Sequence, residues 1–126
     1  MNIGFIPAKT ARLSPASEAL IDVHSGRRMT FGELDERVRR LGNALVGELG
    51  LTKGDRVAIL SKNSIEYMEI YYACARVGMI AQPINWRLGI EEMARILVNG
   101  SPTEMDNLAD VVVSGSISEV LPRILG

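Results

Sequence analysis

Asp55-Arg-Val-Ala-Ile-Leu60, then Ser61-Lys-Asn-Ser64, then Ile65 through Val77 and Gly78, is the stretch that decides the fold. Asp55 to Leu60 is a short apolar run without alternation, which suits a strand buried on both faces, the usual state in a parallel sheet. Asn63 or Ser64 can cap the helix that follows, in which Ile65, Met68, Tyr72 and Ala75 fall on one face. Gly78 stands where a left-handed C-terminal cap belongs. Met79 to Gln82 then predicts a second strand, closed by Pro83.

Upstream, Ala19 to Asp22 and Arg27 to Thr30 read as two short strands around the turn Val23-His-Ser-Gly26. Thr30-Phe-Gly-Glu33 has the spacing of a capping box, so a helix begins there. Leu34, Val38, Leu41, Leu45 and Leu49 then recur at steps of four, three, four and four and form a core-facing stripe. The opposite face carries Glu33 with Arg37, Asp35 with Arg39, and Glu36 with Arg40. These are three acid-before-base pairs at i,i+4, each contributing about 0.3 kcal/mol. Gly50 and Gly54 bracket the turn into the buried strand.

Downstream, the loop Ile84 to Leu88 leads to a helix starting at Gly89, with Glu91 and Glu92 in its first turn and Ile90, Met93, Ile96 and Leu97 packing inward. Asn99-Gly100 ends it. Ser101 to Asn107 reads as a loop around Pro102, and Asp110 to Val113 as a third buried strand. Ser116 or Ser118 can cap a last short helix, with Pro122 early in it. Strand, helix, strand, helix, strand implies an α/β fold: a partial parallel sheet with flanking helices. Residues 1–126 are read as a single incomplete α/β domain, with 99–126 its least determined part.

At 126 residues, with 47% hydrophobic and 23% charged residues, the chain can support one core. The net charge of -1 gives no long-range attraction to nucleic acid. Cys74 is the single cysteine, so an internal disulfide is excluded, and its apolar helical setting makes it a small core residue. The first twenty residues lack the unbroken apolar run of a secretory signal, and no stretch has the length of a membrane-spanning helix. The chain is read as cytoplasmic, with peripheral membrane contact left open.

No G-x-G-x-x-G and no P-loop pattern occurs, and the turn Ser61 to Ser64 after the first buried strand holds no glycine. Lys62, near a helix start, is a weak anion-binding cue. His24 is the sole histidine and sits in the hairpin turn, where exposure rather than catalysis is expected. One His and one Cys far apart do not argue for a metal site. Arg27, Arg28, Arg37, Arg39 and Arg40 are read as a solvated surface interleaved with acids, not a basic patch. Tyr67, Tyr71 and Tyr72 are read as core packing with a polar rim. Trp86 and Arg87 form the best local site candidate, because they follow the carboxyl end of a buried strand, where open α/β sheets bind ligands. The plainer account is preferred: Trp86 covers an apolar edge and Arg87 makes a surface ion pair.

Three ordered segments resemble the start of the adenylate-forming (AMP-binding) enzymes, and within them the long-chain fatty-acid–CoA ligases. Thr30-Phe-Gly-Glu-Leu34 is similar to that family's helix start, and Lys53-Gly-Asp-Arg-Val-Ala-Ile-Leu60 with Asn63 to its G-D-x-V-A strand and turn. Gly78-Met-Ile-Ala-Gln-Pro-Ile-Asn-Trp-Arg-Leu88, followed by Glu92, resembles its G-A-x-x-x-P stretch. The likeness runs from Met1 to about Leu97 and resumes at Asp110 to Val113; Asn99 to Ala109 depart from the family's short turn. The resemblance implies the start of a large N-terminal domain. It also implies a reaction in which ATP and a carboxylic acid give an acyl-adenylate, Mg²⁺ assisting, and CoA then displaces AMP. That chemistry needs a Ser/Thr/Gly-rich loop ending in Pro-Lys, a downstream acidic motif and a lysine on a mobile domain. None is found in this sequence, so no catalytic, cofactor-binding or metal-binding residue is carried over, and an isolated chain is expected to be inactive.

Two rivals stand beside this reading. One is a binding or assembly module that pairs with another chain, as a homo-oligomer or with the remainder of a synthetase, through apolar surface left uncovered by a partial layer. The other is a small dinucleotide-binding domain with a degenerate fingerprint, against which the missing glycines count.

Overall fold

A computed structural model describes residues 1–99 and 111–114, and the side chains of residues 1–96. The expected loop from Ser101 to Asn107, the caps at Ser116 or Ser118 and the helix containing Pro122 lie outside the described residues.

The chain opens with a 3-10 turn, Ile3–Phe5, that runs straight into helix α1, Ile6–Leu13. Sequence patterning had assigned neither, because eight residues are too few for a clear apolar period. What holds the turn is specific. Asn2 caps it by accepting from Gly4 N at 2.8 Å, and its amide donates to Ala75 O at 2.8 Å, satisfying a carbonyl near the end of a later helix. Gly4 is buried against that helix, where a Cβ would lie 2.2 Å from Arg76 N. Only a residue without a side chain fits there.

Strands β1, Glu18–Ile21, and β2, Arg28–Thr30, pair antiparallel as the expected hairpin. Its turn is closed by Asp22, whose carboxylate accepts from His24 N, Ser25 N and Ser25 Oγ. Helix α2, Phe31–Gly47, begins with the full capping box: Glu33 N donates to Thr30 Oγ1, and Thr30 N donates to Glu33 Oε2 at 2.8 Å. The hydrogen bonds that Thr30 N and Thr30 Oγ1 donate to it hold the Glu33 carboxyl below its ordinary value. Leu34, Val38, Leu41 and Leu45 are buried as the stripe required, but Leu49 lies beyond the helix end and is exposed.

A three-stranded parallel sheet has the order β4-β3-β5, with β3 at Arg56–Leu60, β4 at Ile80–Ile84 and β5 at Val111–Ser114. Val57, Ala58 and Ile59 of β3 are essentially inaccessible, as expected of a central strand covered on both faces. Burying Ile59 alone contributes on the order of 2 kcal/mol. Helix α3, Ile65–Val77, joins β3 to β4; Ser64 caps it and Gly78 ends it at φ 79°. Helix α4, Ile90–Asn99, joins β4 to β5, and Gln82 Nε2 ties β4 to it through Ile96 O at 3.0 Å. The fold is the α/β partial parallel sheet with flanking helices that the pattern called for.

Four expectations are corrected. Pro83 does not close β4; it lies inside it, opposite Ile59. Ile80 N donates to Asp55 O on the β3 side, so by strand alternation residue 83 points its missing N–H away from β3, on the strand's outer edge. The buried face of α3 is Ile65, Glu66, Glu69, Ile70, Ala73 and Cys74, whereas Met68, Tyr72 and Ala75 are only half-buried. The i,i+4 pairs on α2 do not form among the described residues. Glu33 is taken by the cap, Asp35 pairs with Arg76 at 2.8 Å, and Arg37 embraces Glu69 through Nε and through Nη2, the latter at 3.1 Å. Arg27 likewise pairs with the buried Glu66. The physical reason is shared: carboxylates on α3 face the hairpin and α2, where a charge-assisted hydrogen bond across elements is better shielded from water than a pair along one exposed helix. Finally, Ile90 at the start of α4 is 87% exposed, not packed inward.

Candidate functional site

The carboxyl ends of β3 and β4 open on one side of the sheet, and the register that sets Leu60 opposite Ile84 brings the two following loops together. Between them lies a cavity of about 460 Å³, lined by Ser61, Asn63 and Tyr67 from the β3–α3 side and by Asn85, Trp86 and Arg87 from the β4 loop. The β4 loop is a tight turn: Leu88 N donates to Asn85 O at 3.1 Å, and Arg87 N donates to Asn85 Oδ1 at 3.0 Å. That turn holds Trp86 and Arg87 on the sheet end.

Trp86 carries a cation over its ring from each loop. Lys62 Nζ is 4.8 Å from the ring centroid and the Arg87 guanidinium carbon is 5.2 Å from it. Arg87 therefore stacks on the indole, and among the described residues it forms no ion pair, contrary to the surface-pair expectation. Lys62, a faint cue in sequence, becomes part of the same cluster because parallel pairing sets its loop beside Trp86. Tyr67 packs on Tyr71 with ring centroids 5.2 Å apart, and partial burial, with Tyr71 adding, pushes its hydroxyl up to about 12, so it remains a neutral hydrogen-bonding group. The site combines two cations, a large aromatic surface and several amide and hydroxyl groups, and can bind and orient an anionic or planar ligand.

The other residues weighed in sequence lie elsewhere. His24 is exposed in the hairpin turn, and Arg27, Arg28 and Arg37 border a cavity of about 330 Å³ beside Glu33 and Glu66, their charge matched by carboxylates. Arg39 and Arg40 are exposed on α2. Cys74 is buried, which pushes its thiol up to about 12, so it is no nucleophile near neutral pH. A larger groove of about 570 Å³ is apolar and is lined by Ile3, Ile6, Met68, Tyr71, Tyr72 and Ala75 among others. The α3 residues expected in the core thus form its wall. Sequence reasoning missed this groove because Ile3 and Ile6, which close one side of it, come from the unassigned N-terminal turn and helix.

Among the described residues the loop after β3 holds no glycine, and the residues with positive φ are Gly26, Gly50, Gly54 and Gly78, none of them in that loop. Among the described residues no group of three or more His, Cys, Asp or Glu is placed to hold a metal ion. No helix among them is long and apolar enough to cross a membrane.

The family model for "AMP-binding enzyme" matches residues 8–105. The chain belongs to the AMP-binding enzyme family. Among relatives of this AMP-binding chain, the long-chain-fatty-acid–CoA ligase FadD13 of Mycobacterium tuberculosis is 35% identical over 117 residues, 93% of the chain and 22% of the relative. A feruloyl-CoA synthase of an Amycolatopsis species is 39% identical over 97 residues, 77% of the chain and 19% of the relative. The fold is similar to that of a Mycobacterium tuberculosis fatty acyl CoA synthetase, with TM-score 0.79 and 33% identity over 97% of this chain and 23% of that one. It is also similar to the N-terminal domain of FACL13 from the same organism, with TM-score 0.80 and 32% identity over 98% of this chain and 29% of that one. The chain thus spans 22% and 19% of the two curated relatives, at their N-terminal part.

Proposed function

We propose that the chain forms the opening layer of an adenylate-forming acyl-CoA ligase, supplying scaffold and one wall of a ligand cleft rather than the reacting groups. The reaction joins a carboxylic acid to ATP with loss of pyrophosphate, after which the CoA thiol attacks the acyl carbon and AMP leaves. The observation that carries this reading is the likeness of almost the whole chain to the fatty acyl CoA synthetase at TM-score 0.79. The sequence, which lacks a Ser/Thr/Gly-rich loop ending in Pro-Lys, supports the division of labour. On this reading residues 1–126 act as a single incomplete α/β domain that does not turn over ATP alone. Lys62, Trp86 and Arg87 present positive charge and a stacking surface to a ligand whose reactive end is handled elsewhere. The compartment we assign is the reducing cytoplasm.

Calorimetric titration of the purified chain with ATP, AMP, acyl-CoA and NADH tests this. Weak binding of the adenylates and none of NADH is expected. Tight NADH binding would overturn the assignment in favour of a dinucleotide-binding domain.

A second reading, an assembly module, is favoured by the open apolar groove beside α3. Its occupant would be the remainder of a synthetase or a second copy. Size-exclusion chromatography with light scattering separates the two: a stable monomer at high concentration removes the second-copy version.

A further inference from the structure

We infer that Arg27 is a positioning residue of the candidate site: through Glu66 it holds the loop that carries Lys62 over Trp86, an assignment that rests on the reading of that cleft as a ligand wall. Lys62 lies in the short loop Ser61 to Ser64. It is exposed, forms no ion pair among the described residues, and holds its ammonium 4.8 Å from the Trp86 ring centroid. A cation over an exposed ring is held weakly, so this contact does not place the loop; the two ends of the loop do. One end is Leu60, paired in register with Ile84. The other is the first turn of α3, where Ile65 and Glu66 are each 3% exposed. Ile65 belongs to the apolar core. Glu66 is a carboxylate buried beside it, and the guanidinium of Arg27 meets it there from the hairpin.

Arg27 is itself fixed. Asp22 N donates to Arg27 O at 2.8 Å, and Arg27 N donates to Ser25 Oγ at 3.3 Å, so a turn that reads in sequence as plain surface sets the root of the arginine. The hairpin also stands directly beside the loop: Asp22 and Val23 share a cavity of about 230 Å³ with Asn63 and Ser64, and Asn63 in turn lines the candidate site. Arg37, which borders the same cavity as Arg27 and Glu66, is committed to Glu69 by two hydrogen bonds. Loss of Arg27 therefore strands a buried carboxylate, which is far more costly than a surface charge and is relieved by turning toward water. The first turn of a helix yields most easily, because its N–H groups have no partners within the helix. Here its movement carries Lys62 off the ring.

Trp86 is the single tryptophan of the chain and is 44% exposed, so fluorescence reads this one ring and quenchers reach it. The ratio of iodide to acrylamide quenching reports positive charge beside the indole with its exposure cancelled. Lys62→Gln should lower that ratio about twofold, the enrichment that one cation at this distance gives in water at physiological salt. Arg27→Ala should lower it as far. Arg27→Lys should restore it, because the native contact uses a single guanidinium nitrogen that an ammonium can replace. Arg28→Ala, which removes a guanidinium paired with Glu18 inside the hairpin, should leave it unchanged. Circular dichroism checks folding; if Arg27→Ala does not fold, Arg27→Ala with Glu66→Ala removes the anchor without stranding a charge and should show the same loss. An unchanged ratio on loss of Arg27, an equal fall in Arg28→Ala, or no fall in Lys62→Gln would overturn the assignment. Titration with AMP and acyl-CoA separates it from the reading of the cleft. Binding weakened in Lys62→Gln but not in Arg27→Ala overturns the brace alone, whereas the expected quenching pattern with binding unaltered in every variant upholds the brace and removes the cleft as a ligand wall.

Discussion

Arg37→Ala is expected to lower stability far more than an exposed arginine would. Glu69 is 1% exposed, and Arg37 meets it with two nitrogens of the guanidinium while keeping a side-chain exposure of 34%. Hydrogen bonding to Glu69 holds the Arg37 guanidinium above its ordinary value against the opposing effect of burial. Removing one partner of a buried pair costs about 3–5 kcal/mol, because the other charge is left without compensation. Since Arg37 is partly hydrated, the low end applies, about 3 kcal/mol, which corresponds to a fall in Tm of roughly 10 °C for a chain of this size. Urea unfolding and calorimetry measure it. Adding Glu69→Gln to Arg37→Ala should recover part of the loss by removing the stranded charge, and Met at both positions should come close to the wild type. A loss below about 1 kcal/mol in Arg37→Ala, the range of surface pairs, would refute the reasoning.

Other expectations follow from single contacts. Gly4→Ala puts a methyl 2.2 Å from Arg76 N, so the N-terminal turn must lift from α3; a loss of about 1–3 kcal/mol in urea unfolding, with faster proteolysis near the N-terminus, is expected. Thr30→Ala removes the α2 cap and about 1 kcal/mol of stability. The Glu33 carboxyl is held below its ordinary value of 4.5, so its contribution is present above that pH and is lost as pH falls through the depressed folded value; the acid limb of a stability–pH curve should flatten in Glu33→Gln. Cys74, buried and with its thiol pushed up to about 12, should react with a maleimide only when the chain unfolds, a prediction read by mass spectrometry across a urea series.

Local signals in the sequence were legible where they act alone. The capping box at Thr30 and Glu33, the Gly78 cap, the hairpin and the apolar run of β3 each depend on neighbours in the chain, and each appears in the structure. The face of α3 was misread because Glu66 and Glu69 look solvent-seeking until Arg27 and Arg37, distant in sequence, cover them. The same redistribution dissolved the expected pairs along α2. Pro83 looked like a strand terminator because the sequence does not tell an edge strand from a central one. At the candidate site, Trp86 and Arg87 were visible as a loop after a strand. The approach of Lys62 to the same ring depends on parallel register, which no local pattern encodes.

Pyrophosphate release probes the division of labour most directly. On the proposed division of labour, purified chain supplied with ATP, Mg²⁺ and a fatty acid should liberate none above a protein-free blank. Sustained release that follows the chain through purification would contradict the account.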